Sequence, residues 1–88
     1  MWGKIRSKIE FTEVFMMLDL KGEVNAGYEI VTQGEQSVVG YTRGKDEWVA
    51  WNYSIRDGEV EYYWGRYGTR EYVYGCFNKK ENGQYSGN

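Results

Sequence analysis

Residues 37–67 read SVVGYTRGKDEWVAWNYSIRDGEVEYYWGRY and contain three runs in which apolar and polar side chains alternate. Polar turns at residues 44–46 and 56–58 separate the runs. Alternation with a period of two places successive side chains on opposite faces of a strand. In the middle run, one face carries Val49, Trp51, Tyr53 and Ile55. The stretch therefore predicts a twisted antiparallel sheet with an aromatic face that must be covered.

Outside this stretch, a shorter alternating run at residues 28–32 predicts a first strand, preceded by a linker at residues 23–27. A turn at residues 33–35 joins it to the next strand. Asp57-Gly58 between two alternating runs is the strongest hairpin signal in the chain. Two glycines lie inside the predicted strands, Gly40 and Gly65. Such glycines indicate a bulge or an aromatic ring packed over the backbone.

Helical spacing of apolar residues predicts a helix over residues 3–20, with a strand at residues 8–11 followed by a shorter helix as the alternative. A second helix is predicted over residues 69–80, because Thr69 is a good N-cap. Its apolar stripe consists of Val73, Cys76 and Phe77, and its last turn is basic. Residues 82–88 form a polar sequence typical of a flexible tail.

These elements predict one domain over residues 1–88, of the α+β class. It comprises an N-terminal helix, a four-stranded antiparallel β-meander over residues 28–67 and a C-terminal helix. Both helices are expected to cover the face of Val49, Trp51 and Tyr53. A chain of 88 residues buries only about 60–65% of its unfolded surface, so large core side chains are needed. Sixteen aromatic residues meet that need.

Composition argues against several kinds of site. Histidine is absent and cysteine occurs once, so neither an intramolecular disulfide nor a zinc site is expected. No glycine-rich phosphate loop occurs, and no cofactor is predicted. The net charge of −2 does not indicate a basic nucleic-acid-binding arm. With no signal peptide and no membrane-spanning segment, we expect a cytoplasmic location.

Two carboxylates raise the question of catalysis. Glu59 and Glu61 lie on one face of a predicted strand, about 6.5–7 Å apart, which is similar to a glycosidase pair. Neighbouring carboxylates on an edge strand more often keep the sheet soluble. We therefore predict that the protein is not an enzyme.

Aromatic residues on an open sheet face can also stack nucleic-acid bases. Trp48, Tyr63 and Tyr67 are the open-face candidates, but the chain is slightly acidic and lacks the RNA-recognition motifs. A row of carboxylates at strand spacing could instead resemble nucleic-acid phosphates, as in Asp46, Glu47, Asp57, Glu59 and Glu61. We therefore consider direct binding of nucleic acid a weaker prediction than a surface that binds a partner protein.

Three segments carry a resemblance: residues 38–41 (VVGY), 49–51 (VAW) and 62–67 (YYWGRY). Together with the helix that follows, they resemble short, poorly characterised proteins of bacterial phages and mobile elements. Arg66 stands where that pattern has histidine, and Gly75 interrupts the helix. The resemblance implies that the cytoplasm is that of a bacterial host cell. It also implies a context in which small proteins counter host defence, as anti-CRISPR and antirestriction proteins do.

The predicted function is a non-enzymatic inhibitor that binds a bacterial defence protein, such as a CRISPR effector or a restriction-type nuclease, and blocks nucleic-acid access. The predicted partner-binding residues are Trp48, Tyr63, Tyr67, Asp57, Glu59 and Glu61. One alternative is a sponge that sequesters a nucleotide-like signal, and another is a single-stranded nucleic-acid-binding module. Edge strands at residues 28–32 and 59–67 also leave a homodimer open.

Overall fold

A computed structural model describes residues 18–84, which form a curled five-stranded antiparallel sheet followed by one helix. The strands are β1 (Val24–Asn25), β2 (Tyr28–Gln33), β3 (Ser37–Thr42), β4 (Glu47–Arg56) and β5 (Glu59–Gly68). Each strand pairs with the next along the chain. The helix, α1, spans Arg70–Glu81. The antiparallel sheet and the C-terminal helix are confirmed, whereas the sheet has five strands and not four.

Two tight turns of the same kind close hairpins in the sheet. Asp57 and Gly58 join β4 to β5 with φ values of 55° and 82°. Positive φ at both central residues is the type I′ geometry, which matches the twist of the flanking strands. Ala26 and Gly27, with φ values of 53° and 89°, join β1 to β2 in the same way. The predicted linker at residues 23–27 is therefore wrong, because a two-residue strand is too short to show alternation.

The sheet buries apolar side chains on both faces. The larger cluster comprises Leu20, Tyr28, Ile30, Val38, Val49, Trp51 and Tyr53. The smaller cluster comprises Val39, Ala50, Val73 and Cys76, the last two from α1. We call these two surfaces of the sheet the tryptophan face and the helix face, respectively. The buried aromatic residues of the described part of the chain, Tyr28, Trp51 and Tyr53, all lie on the tryptophan face.

The prediction that the C-terminal helix covers the tryptophan face is wrong. Val73 and Cys76 of α1 pack on the opposite surface, the helix face. The helix also brings a buried ammonium group, that of Lys80, which needs a polar partner and finds one in Asn52 of β4. Among residues 18–84, Leu20 packs on the tryptophan face, and the sheet curls around it.

The predicted N-terminal helix is not confirmed. Residues 1–17 lie outside the described residues, as does the alternative strand at residues 8–11. Residues 18–20 have no helical backbone. Leu20 is buried, and its N–H donates a hydrogen bond of 2.8 Å to the side-chain oxygen of Gln33. The helix therefore does not extend to residue 20.

Both ends of α1 are capped within the described residues. The Thr69 hydroxyl accepts a hydrogen bond from the Tyr72 N–H, as an N-cap does. At the other end, Gly83 has a φ of 73°, and the N–H groups of Gly83 and Gln84 donate to carbonyls of the last turn. This is a Schellman motif. Residues 85–88, the rest of the predicted tail, lie outside the described residues.

The last residue of α1 ties the helix to the turn between β2 and β3. The Glu81 carboxylate accepts hydrogen bonds from the backbone N–H groups of Glu35, Gln36 and Ser37, at 2.7–2.9 Å, and from the Ser37 hydroxyl. The carboxylate lies where a Cβ atom on Gly34 would be, so only glycine leaves room for it. This contact fixes the position of α1 across the helix face.

Tyr28 of β2 makes the stability of the fold sensitive to alkaline pH. Its side chain is buried, and its hydroxyl donates a part-buried hydrogen bond of 2.8 Å to Glu47. Burial, followed by the bond to Glu47 and the charge of that residue, raises the pKa of Tyr28 from 10.0 to about 12. The folded protein thus retains a proton that the unfolded chain releases, and the free energy of unfolding should fall as pH rises from 10 to 12.

Urea denaturation across this pH range checks the Tyr28 prediction. We expect the native protein to lose more stability between pH 10 and 12 than the Tyr28→Phe variant, which has no hydroxyl to titrate. The variant also controls for the other tyrosines, which titrate in both proteins. Parallel stability curves for the two proteins would contradict the prediction.

Candidate functional site

The exposed aromatic side chains of β5 form the most conspicuous surface feature of the described residues. Tyr63, Trp64 and Tyr67 are 38%, 50% and 48% exposed, and we call them the aromatic edge. The rings of Tyr63 and Trp64 contact each other edge to face, with centroids 5.0 Å apart. Within residues 18–84, β5 is an outer strand that pairs only with β4. Exposed aromatics on an outer strand favour association, and tryptophan and tyrosine are frequent interface anchors.

A bulge in β5 sets the position of Trp64. Regular pairing with β4 breaks between Ala50 and Asn52, so that Trp64 and Gly65 both oppose Trp51. Trp64 has a φ of 56°, the left-handed conformation that costs a non-glycine residue about 1–2 kcal/mol. The other three described non-glycine residues with positive φ lie in turns. A bulky residue held in this conformation at a bulge is a candidate for function.

Gly65 makes the bulge sterically feasible. A Cβ atom at this position would lie 2.8 Å from Nε1 of Trp51 and 2.9 Å from Cε1 of Tyr67. Both rings therefore pack directly over the glycine. At Gly40, a Cβ atom would lie 3.2 Å from Cβ of Tyr28. The expectation of a bulge or an overlying aromatic residue is confirmed at Gly65, which has both. At Gly40 the neighbouring atoms are Cβ of Tyr28 and Cγ1 of Val49, and the nearby register shift lies in β2 between Ile30 and Thr32.

Lys80 of α1 holds the bulge from the helix face. Its side chain is only 1% exposed. The ammonium group donates one hydrogen bond of 2.6 Å to Oδ1 of Asn52 and another of 2.9 Å to the carbonyl oxygen of Trp64. Burial lowers the pKa of Lys80 below its ordinary value. A buried cation thus bonds to the backbone of the residue that carries the most exposed ring of β5.

The sequence interpretation missed the role of Lys80. Both Lys79 and Lys80 fit the predicted basic last turn of the helix, but Lys79 is exposed whereas Lys80 is buried. Lys80 lies three and four residues after Phe77 and Cys76, and seven after Val73, on the apolar stripe of α1. That spacing is the signal that could have identified it as a buried residue.

The three aromatic residues predicted to share an open face do not share one. Trp48 and Tyr63 lie on the helix face. Tyr67 lies on the tryptophan face, with its ring centroid 5.8 Å from that of Tyr28 and 6.3 Å from that of Trp51. The bulge adds one residue between Tyr63 and Tyr67, which reverses the alternation of faces. The common open face is therefore wrong, and partner binding by these residues stays a prediction.

Trp48 contributes to the packing of α1 on the sheet. The centroid of its half-buried ring lies 4.5 Å from the ring centroid of Tyr41 and 6.0 Å from that of Tyr74. The Arg70 guanidinium lies over both Trp48 and Tyr74, 5.7 and 5.0 Å from the ring centroids. Such stacking adds to the burial energy of the rings. Substituting Trp48 is thus unsuited to testing binding alone.

The predicted acidic residues form two separate groups. Asp57, Glu59 and Glu61 are exposed at and beside the β4–β5 turn. Asp46 and Glu47 lie at the opposite end of β4, about 30 Å away along the strand. They accept hydrogen bonds from the hydroxyls of Tyr41 and Tyr28, respectively. The carboxylates therefore do not form one continuous row that resembles a nucleic-acid backbone.

Comparison with known proteins gives no relative for this chain: no protein-family model, curated protein or solved structure matches it. The resemblance to phage and mobile-element proteins therefore stays a prediction. Within residues 18–84, no helix has the length and apolar character needed to cross a membrane.

Proposed function

We propose that the protein is a non-enzymatic inhibitor that binds a bacterial defence protein and blocks its access to nucleic acid or its activation. The observation that carries the proposal is Trp64, whose half-exposed indole projects from a bulged outer strand in a left-handed conformation. A residue keeps a strained backbone conformation only where the surrounding structure holds it there. Residues of this kind cluster at binding sites.

The surroundings of Trp64 suit an interface anchor. Its carbonyl is bonded to the buried Lys80, and its ring rests against Tyr63. A side chain held in place before binding loses little conformational entropy when a partner covers it. Tryptophan and tyrosine are also the residues whose truncation most often weakens protein interfaces.

The charges beside the aromatic edge favour a partner with a basic surface. Asp57, Glu59 and Glu61 lie at the start of β5, in the same strand as the aromatic edge or in the turn before it. Opposite charges steer association and fix the orientation of a complex. The channel of a CRISPR effector or a restriction-type nuclease is basic because it binds nucleic acid. The resemblance in residues 38–41, 49–51 and 62–67 supports the same context.

The Trp64→Gly variant tests this function because glycine removes the ring and also relieves the left-handed strain. We expect the variant to unfold with a free energy within about 1 kcal/mol of the native value, since the lost ring contact and the relieved strain offset each other. Affinity for the partner should fall by about 30-fold or more, as for an interface hot spot. The measurement is the concentration of native or variant protein that halves DNA cleavage by each of a panel of purified CRISPR effectors and restriction-type nucleases.

Val31→Ala is the control for loss of an exposed apolar side chain elsewhere on the sheet, because Val31 lies in β2 and is 38% exposed. It should leave inhibition unchanged. Undiminished inhibition by Trp64→Gly would contradict the proposed anchor. If the native protein inhibits no nuclease and co-purifies with a nucleotide, the sponge alternative replaces the inhibitor.

A further inference from the structure

A cleft of about 500 Å³ opens on the tryptophan side of the molecule, away from Trp64. Leu18, Leu20 and Val24 form one wall, and Val60 and Tyr62 of β5 form the other. The curl of the sheet brings these two parts of the chain towards each other. The volume is in the range of ligand-binding sites in proteins. The cleft is thus a groove with a mixed apolar and polar lining, between the first described segment and an outer strand.

The backbone of β5 beside this cleft has the geometry of an acceptor strand. Arg56 and Glu59 pair across the two-residue turn and therefore form a hydrogen-bonded pair with β4. Pairs alternate along an antiparallel ladder, so the N–H and C=O groups of Val60 and Tyr62 point away from β4. Within residues 18–84, no strand lies on that side of β5. An extended peptide can add to such an edge through main-chain hydrogen bonds.

The charge of the cleft specifies the side chains that such a peptide would carry. Asp19, Glu23 and Glu59 contribute to the lining, and among residues 18–84 no lysine or arginine does. Burial, followed by the charge of Glu23, raises the pKa of Tyr62, which indicates that negative potential reaches the cleft wall. Apolar walls with acidic residues complement side chains that are alternately aliphatic and cationic.

We propose that this cleft and the neighbouring edge of β5 bind an extended segment of the partner protein in which lysine or arginine alternates with aliphatic residues. The segment adds to the sheet as a further strand next to Val60 and Tyr62. The inference rests on the proposed function for the partner being a protein. It assigns the contact to a surface other than the aromatic edge.

The probe is a short, terminally blocked peptide of alternating lysine and valine, titrated into the isotope-labelled full-length protein and followed by NMR. A peptide of alternating glutamate and valine is its matched control. We expect the lysine peptide to bind at least about tenfold more tightly. Amide signals should shift at residues 18–24 and 58–62, and the Val60 and Tyr62 amides should become protected from exchange with solvent.

Charge-reversal variants locate the contact. Glu23→Lys should weaken binding of the lysine peptide by about five- to tenfold. Glu71→Lys makes the same charge change at an exposed position of α1 outside the lining of the cleft, and it should leave the affinity within about twofold of native. Equal binding of both peptides, equal effects of both variants, or no binding would each overturn the proposal.

Other occupants of the cleft have their own signatures. Contacts from residues 1–17 to Val60 or Tyr62 in the free protein would assign the cleft to this chain and overturn the proposal. Signals of the cleft that shift on dilution would assign it to a second copy, with the same consequence. The Trp64→Gly variant should bind the peptide as tightly as the native protein does. If it binds the peptide but no longer inhibits the nuclease, that loss tests the aromatic edge and not the cleft. Inhibition retained without peptide binding overturns the cleft alone.

Discussion

Replacing Glu81 with alanine is expected to lower the free energy of unfolding by about 3–4 kcal/mol, because the carboxylate serves four donors of the β2–β3 turn. Ser37 is fully buried, so its N–H and hydroxyl groups lose their acceptor where water cannot replace it. Urea denaturation followed by circular dichroism measures the effect. Glu71→Ala is the control, since Glu71 is exposed in the first turn of the same helix. Its cost should stay below about 1 kcal/mol.

The Gly34→Ala variant tests whether the loss arises from this contact. An alanine Cβ atom would occupy the space of the Glu81 carboxylate and displace it. In the native background, we expect Gly34→Ala to cost about 2 kcal/mol or more. In the Glu81→Ala background the same change should cost almost nothing, because the carboxylate is already gone. Additive effects of the two substitutions would contradict the contact as the source of stability.

The parts of the fold that could be predicted from the sequence are those with local causes. Alternation with a period of two identified β2 to β5 but not the two-residue β1, and Asp57-Gly58 identified the hairpin between β4 and β5. Thr69 identified the start of α1. Each of these signals acts within a few residues, so one sequence contains all the information that the prediction needs.

The contacts that orient the helix could not be predicted in the same way. Glu81 bonds to residues 44–46 positions earlier in the chain, and Lys80 bonds to Asn52, 28 positions earlier. Nothing in the local pattern states which face of the sheet receives α1. That choice depends on long-range pairing of polar groups, which the sequence does not display.

The candidate site shows how one inserted residue changes the surface of a sheet. Gly65 marked the bulge, and the sequence predicted either a bulge or an overlying ring there. The consequence for the alternation was missed, so Tyr63 and Tyr67 were assigned to a common face. A pattern predicts faces only up to the first irregularity of the ladder.

Replacing Lys80 with methionine is expected to lower the free energy of unfolding by about 2–4 kcal/mol. Methionine fills similar volume but has no donor, so Oδ1 of Asn52 and the carbonyl of Trp64 lose the ammonium group. Relief of the burial of a charge offsets part of this cost. Urea denaturation measures the change, and Lys79→Met, an exposed neighbour, is the matched control with no expected effect.

The pH dependence of the Lys80→Met effect has a defined sign. The folded protein releases the Lys80 proton at lower pH than the unfolded chain does, because burial lowers the pKa from 10.5. Between the two pKa values the unfolded chain holds more protons, so native stability rises with pH relative to Lys80→Met. The gain is complete above 10.5 and is lost as pH falls through the lowered pKa. An unchanged difference across this range would contradict a buried, titrating ammonium group.

Lys80 also connects the stability of the fold to the proposed function. Its bond to the Trp64 carbonyl lies inside the bulge, so Lys80→Met should relax the backbone that presents the indole and reduce inhibition as well as stability. Trp64→Gly keeps that carbonyl and should reduce inhibition alone. The two variants therefore distinguish the residue that positions the indole, Lys80, from the residue that carries it, Trp64. Full inhibition by a folded Lys80→Met protein would mean that Gly65 and the packing of Trp51 suffice to hold the bulge.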